Sequence, residues 1–144
     1  MRVIRVAVAD DDPLFREALV EVIRSDLRFA LVGIAASGEE IVKVVRDVVP
    51  DLVVLDVQMP GGGVEAAAAI TADFPRGEAP VLVAVSAQTG TSTVLAMLRA
   101  GAGGYLAKGR LGAYLPDVLE RCANGQVILA APGAAEALRR LAGR

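Results

Sequence analysis

Apolar residues gather in short runs at regular distances along the chain: Val3 to Ala9, Phe29 to Ala35, Leu52 to Leu55, Val81 to Val85 and Tyr105 to Ala107. Runs this short, rich in β-branched residues and bounded by turn formers, predict strands buried on both faces of a parallel sheet. The segments between them have a different period. Leu14, Phe15, Ala18, Leu19, Val22 and Ile23 recur about every four residues, as on one face of a helix, with Pro13 in the first turn where its missing N–H costs nothing. Ser37 and Gly38 mark a turn before a second helix, which carries Ile41, Val44, Val45 and Val48 and ends ahead of Pro50. An alanine-rich third helix runs from Val64 to Phe74 and closes at Pro75. A fourth from Thr93 to Ala100 stops at Gly101, and a fifth from Tyr114 to Cys122 stops at Asn124 and Gly125.

Strand then helix, repeated five times, predicts an α/β domain with a doubly wound, five-stranded parallel sheet, because parallel neighbours need crossovers and the crossovers are right-handed. The tail falls outside this count. Gln126 to Leu129, a Pro132-Gly133 break and the amphipathic piece Ala134 to Leu141 are read as a linker or packing helix rather than as part of the sheet. The expected organisation is one domain over 1–125 and the tail over 126–144.

Composition narrows the classes further. A chain of 144 residues that is 54% hydrophobic can bury a real core. Its net charge of −2 supplies no basic surface for nucleic acid or an acidic membrane, so any DNA contact is expected from residues outside these 144. The single cysteine, Cys122, excludes an internal disulfide framework and fits a reducing compartment. No apolar stretch reaches the length of a membrane span and no signal-peptide pattern opens the chain, so a soluble, cytoplasmic protein is expected.

Chemistry concentrates where the strands end. Asp10, Asp11 and Asp12 follow the first strand, Asp56 the third, Ser86 the fourth and Lys108 the fifth. Ligands of parallel sheets gather at these carboxyl ends, which lets the carboxylates share one pocket suited to a hard cation such as Mg²⁺. The set also fits phosphoryl transfer. A carboxylate can act as nucleophile toward phosphorus, a carboxylate-held Mg²⁺ neutralises phosphoryl oxygens, lysine offers them a point charge, and the Ser86 hydroxyl can donate to a bound phosphate.

Four stretches carry a resemblance: Val8 to Arg16, Pro50 to Gly61, Val81 to Ala87 and Ala100 to Lys108. In order and spacing they resemble a bacterial response-regulator receiver domain of the LuxR/NarL type. The resemblance implies a CheY-like, flavodoxin-like three-layer sandwich. It implies that Asp56 is phosphorylated by a partner sensor histidine kinase, and that Asp10, Asp11, Asp56 and the backbone carbonyl of Gln58 bind Mg²⁺. Ser86, Ala87, Tyr105 and Lys108 would form the phosphate-binding and switch set, with Ser86 moving toward the phosphate and Tyr105 swinging into the vacated space. A homodimer formed on activation, and DNA reached only through an output domain beyond the tail, complete the implied partners; a membrane is not among them.

The chain departs from that family pattern in three places. After the phosphoacceptor position it has Met59-Pro60-Gly61-Gly62-Gly63-Val64, one residue shorter than usual and without the acid; the glycine run reads as a flexible turn, since no Gly-x-Gly-x-x-Gly or Walker lysine accompanies it. Asp12 stands where related sequences often have His; it reads as a helix cap that adds negative charge near the pocket. Gly109 follows Lys108, where many receivers have proline. Two other functions share these residues. A Mg²⁺-dependent phosphatase with an aspartate nucleophile typically carries a second Asp two residues on, where this chain has Gln58. A receiver-like module working without phosphate would have no need of the acidic, hydroxyl and lysine positions that are all present.

Overall fold

The computed structural model describes residues 2–143. Its sheet has strands β1 (Ile4–Ala9), β2 (Phe29–Ala35), β3 (Leu52–Leu55), β4 (Val81–Ser86), β5 (Gly104–Ala107) and β6 (Ile128–Ala130), joined through helices α1 (Pro13–Arg24), α2 (Gly38–Val48), α3 (Gly63–Ala72), α4 (Thr91–Arg99) and α5 (Leu115–Ala123), with α6 (Ala134–Gly143) last. All pairings are parallel, in the order β2-β1-β3-β4-β5-β6. The sheet therefore has six strands, not the five expected. The sixth comes from the tail: Ile128, Leu129 and Ala130 pair with Gly104, Tyr105 and Leu106, and α6 packs on α4.

Alternation along the strands builds a core on each face. Ala7, Ala9, Val53, Leu55, Leu82, Ala84 and Tyr105 point to one side, where α2, α3, α4 and α6 cover them. Val6, Val8, Leu52, Val54, Val83, Val85 and Leu106 point to the other, against α1 and α5. Truncating a fully buried leucine such as Leu55 should cost about 2–5 kcal/mol. Alanine, as at Ala66, Ala67, Ala134 and Ala137, is the commonest buried residue of the first core.

Local signals place most boundaries. Asp12 caps α1, its Oδ1 accepting from the N–H groups of Leu14 (3.1 Å) and Phe15 (3.4 Å). Ser37 caps α2 by accepting from Glu40 N–H at 3.2 Å. That helix ends at Val49 in the left-handed region (φ 43°), an uncommon setting for a β-branched residue. Arg5 braces it by donating to the carbonyls of Val48 and Val49, both at 2.7 Å. No helix among the described residues is long and apolar enough to cross a membrane.

Candidate functional site

The chain goes from β1 outward to β2 and then returns to β3 on the other side of β1. The loops after β1 and β3 consequently part in opposite directions, and the crevice between them is where open α/β sheets place their ligands. The hydrogen-bond ladder continues one step past the strands here: Asp10 N–H donates to Ala35 O (3.1 Å) and Asp56 N–H to Ala9 O (2.9 Å). That extension seats both aspartates side by side at the crevice, buried at 1% and 5% exposure. Asp11 joins from the exposed side, and one carboxylate oxygen from each of Asp10, Asp11 and Asp56 lies within 4.8 Å of the others. Asp12 does not join them; it caps α1.

Each buried carboxylate has a defined set of partners. Asp10 Oδ1 accepts from Asp12 N–H at 2.9 Å, and Asp56 Oδ1 from Gln58 N–H at 3.2 Å. Lys108, in the short 3₁₀ turn after β5, reaches across with Nζ 2.8 Å from Asp10 Oδ2 and 3.3 Å from Asp56 Oδ2. The contact with Asp10 is the shorter of the two, and the Lys108 ammonium is the partner that faces the buried Asp10 Oδ2. The lysine side chain is only 18% exposed, and its ammonium lies 4.4 Å from the centroid of the Phe15 ring.

Burial pushes Asp56 above the ordinary carboxylate pKa; the Gln58 N–H opposes this, the Asp10 charge adds to it, and Lys108 opposes it. Burial acts the other way on Lys108, favouring the neutral amine, but the carboxylates of Asp10 and Asp56 outweigh it and hold the ammonium above its usual pKa. Three carboxylates against one ammonium leave the cluster short of positive charge. An oxygen-only donor set with that deficit fits a hard dication such as Mg²⁺.

The other site residues lie just beyond this cluster. Ser86 is fully buried at the end of β4, its Oγ accepting from Gln88 N–H at 2.9 Å. Tyr105 is also fully buried, and its hydroxyl donates to Gln88 O. Its pKa is raised by burial, the neighbouring Ser86 hydroxyl opposing and the Asp56 charge adding. The ring already occupies the interior, where the resemblance had implied that it would arrive on activation. Ala87 is exposed beside Ser86, and the Gln58 side chain is exposed while its N–H closes the turn on Asp56.

Glycines 61 to 63 form an ordered turn rather than a loose one. Gly61 and Gly62 take φ values of 84° and 81°, open to glycine at little cost. Gly62 N–H donates to Met59 O (2.8 Å), Gly63 N–H to Val57 O (2.9 Å), and Gly38 N–H to Pro60 O (2.8 Å). Gly63 begins α3, and a Cβ there would lie 2.4 Å from Asp56 O and 2.5 Å from Val57 Cα. Three features went unseen in the sequence reading: this close approach, the Gln88 carbonyl that holds Tyr105, and the Phe15 ring beside Lys108. Phe15 alone carried a signal, lying on α1 only four residues beyond Asp11.

A doubly wound parallel sheet with an acidic cluster at its switch point and a lysine reaching in from the turn after β5 is the make-up of a receiver domain. The chain belongs to the response regulator receiver domain family, whose model matches residues 6–120. It is similar to the uncharacterized transcriptional regulatory protein YxjL of Bacillus subtilis (strain 168), at 36% identity over 126 residues, 87% of this chain and 56% of that protein. It is also similar to protein-glutamate methylesterase/protein-glutamine glutaminase 4 of Myxococcus xanthus (strain DK1622), at 38% identity over 115 residues, 79% of this chain and 32% of that protein. Among solved structures, a LuxR-family two-component response regulator from Aurantimonas sp. SI85-9A1 superposes with a TM-score of 0.85 at 28% identity, covering 97% of this chain and 99% of that one. The chain spans between about a quarter and somewhat over half the length of the curated relatives it matches.

Proposed function

We propose that Asp56 is the phosphoacceptor of this receiver domain. Asp10, Asp11, Asp56 and the backbone carbonyl of Gln58 would hold Mg²⁺, and Ser86, Ala87, Tyr105 and Lys108 would bind the phosphoryl group and register its arrival. The observation that carries this reading is the setting of Asp56, a buried carboxylate contacted by Lys108 beside a second buried carboxylate that faces the same ammonium. An Asp56 carboxylate oxygen attacks the phosphorus of a phosphohistidine on a sensor kinase. The P–O bond forms as the P–N bond breaks, and the electron pair leaves on the imidazole nitrogen. Lys108 keeps a positive charge at the place where phosphoryl oxygens arrive, and it needs no reorganisation to do so. Bound Mg²⁺ supplies charge neutralisation to the same oxygens.

The new phosphoryl oxygens are acceptors next to Ser86, whose hydroxyl can turn from Gln88 N–H to donate to them. That exchange frees the Gln88 segment, which also holds the Tyr105 hydroxyl, and so biases the surface of α4, β5 and α5 toward a second arrangement. Control of transcription through a DNA-binding domain following the tail, a homodimer formed on activation and a cytoplasmic location belong to the same reading. The similarity to YxjL, a transcriptional regulatory protein, supports transcription, while the methylesterase relative shows that receivers also serve other outputs. The test is incubation with Mg²⁺ and acetyl phosphate followed by intact-mass analysis. Wild type should gain one acid-labile phosphoryl group, and Asp56→Asn should gain none. A variant modified at the wild-type rate would place the phosphate elsewhere.

A further inference from the structure

Lys108 is a flexible, strongly hydrated point charge, yet it is held within reach of both Asp10 and Asp56. Gly109 follows it and offers no side chain to brace the stem. The remaining close partner is Phe15, whose ring centroid lies 4.4 Å from the ammonium. The ring is itself located, because the Asp12 cap accepts from Phe15 N–H and the side chain packs against the core between α1 and the sheet. The face of an aromatic ring carries negative potential and attracts a cation set over it. We propose that Phe15 is a positioning residue for the phosphoryl-transfer site, its ring forming a wall that keeps the Lys108 ammonium on the Asp10–Asp56 side of the crevice. The kinetic part of this proposal rests on Asp56 being the phosphoacceptor; the structural part does not.

The chain has only two lysines, Lys43 and Lys108, so selective lysine labelling gives a spectrum that reads Lys108 directly. In wild type the Lys108 ε-methylene resonances should be displaced by the ring current from those of exposed Lys43. Phe15→Leu should abolish the displacement, and Phe15→Trp should keep it. With acetyl phosphate and Mg²⁺, Phe15→Leu should slow phosphorylation about three- to tenfold, the range expected for losing a cation–π contact. Phe15→Trp should restore the rate. In a Lys108→Ala background the Phe15→Leu change should have no further effect, whereas a role limited to packing would slow both backgrounds alike. Melting curves show whether each variant is folded, and Phe15→Met stands in for Phe15→Leu if the smaller side chain unfolds the protein. Unshifted Lys108 resonances in wild type, or equal slowing in both backgrounds, overturns the proposal. A wild type that takes up no phosphate overturns the phosphoacceptor reading instead, and the spectra still decide the place of Phe15.

Discussion

Adding one methyl group at Gly63 probes how tightly the site is tied to the fold. Gly63 is not in the left-handed region, so Gly63→Ala imposes no backbone strain and isolates the question of space. Its Cβ would lie 2.4 Å from Asp56 O, 2.5 Å from Val57 Cα and 2.9 Å from Val57 O, all backbone atoms that cannot rotate away. Carbon contacts settle near 3.5–4.0 Å, so the start of α3 must retreat by about 1 Å. Overpacking of this kind costs about 1–3 kcal/mol. Stretching the Gly63 N–H bond to Val57 O adds about 1 kcal/mol, and the better helix propensity of alanine returns at most about 1 kcal/mol. The net loss of roughly 1–3 kcal/mol corresponds to about 3–9 °C in melting temperature for a chain of this size. Because the crowded atoms include the backbone carbonyl of Asp56 itself, part of the strain falls on that residue and the stabilisation by Mg²⁺ should shrink as well. Thermal unfolding followed by circular dichroism, with and without Mg²⁺, measures both, and Gly109→Ala, where a Cβ meets open space, is the control. A change within 1 °C together with a wild-type Mg²⁺ response refutes the reasoning.

Two more predictions concern charge and the tail. Burial raises the folded-state pKa of Asp56, so its ionised carboxylate weakens the fold at neutral pH, and that penalty is relieved as pH falls through the raised value toward the ordinary 3.8. In EDTA, Asp56→Asn should therefore melt above wild type near pH 7 by an amount that narrows with acidification; a variant less stable than wild type at neutral pH contradicts this. Ala137 on α6 is fully buried, so Ala137→Asp should undock that helix at a cost of about 2–4 kcal/mol. Hydrogen exchange should then show protection lost over 134–143 but kept in β1 and β3, and unchanged protection of α6 counts against its docking.

The first five strands and five helices were legible because each leaves a periodic mark: Val53 to Leu55 read as buried strand, and Leu19 and Ile23 as a helix face. The acidic cluster was legible too, because parallel topology alone brings the ends of β1 and β3 together. Strand β6 was not. Three residues carry no period, and Ile128 to Ala130 become a strand only by pairing with β5, a partner more than twenty positions earlier. The glycine run displayed conformational freedom but hid the crowding at Gly63, which depends on where Asp56 and Val57 come to lie. Side-chain direction was hidden for the same reason: the inward ring of Tyr105 and the pairing of Lys108 with Phe15 depend on packing between segments distant in sequence.

Gly133 N–H donates to Thr89 O at 3.0 Å, and a Cβ at Gly133 would lie 2.6 Å from both Thr89 O and Thr91 N. The start of α6 is thus riveted to the segment between β4 and α4 that also holds the Ser86 and Tyr105 side chains through Gln88. Mechanically this is a clamp, set beside Ser86 and Tyr105. Because Ala134 and Ala137 are buried and α6 packs along α4, the two helices are bound to move as one body. On the reading proposed above, a shift of bond-length scale at Ser86 would not stay at the crevice: it would reach α4 and α6 together, because Gly133 ties the start of one helix to the start of the other.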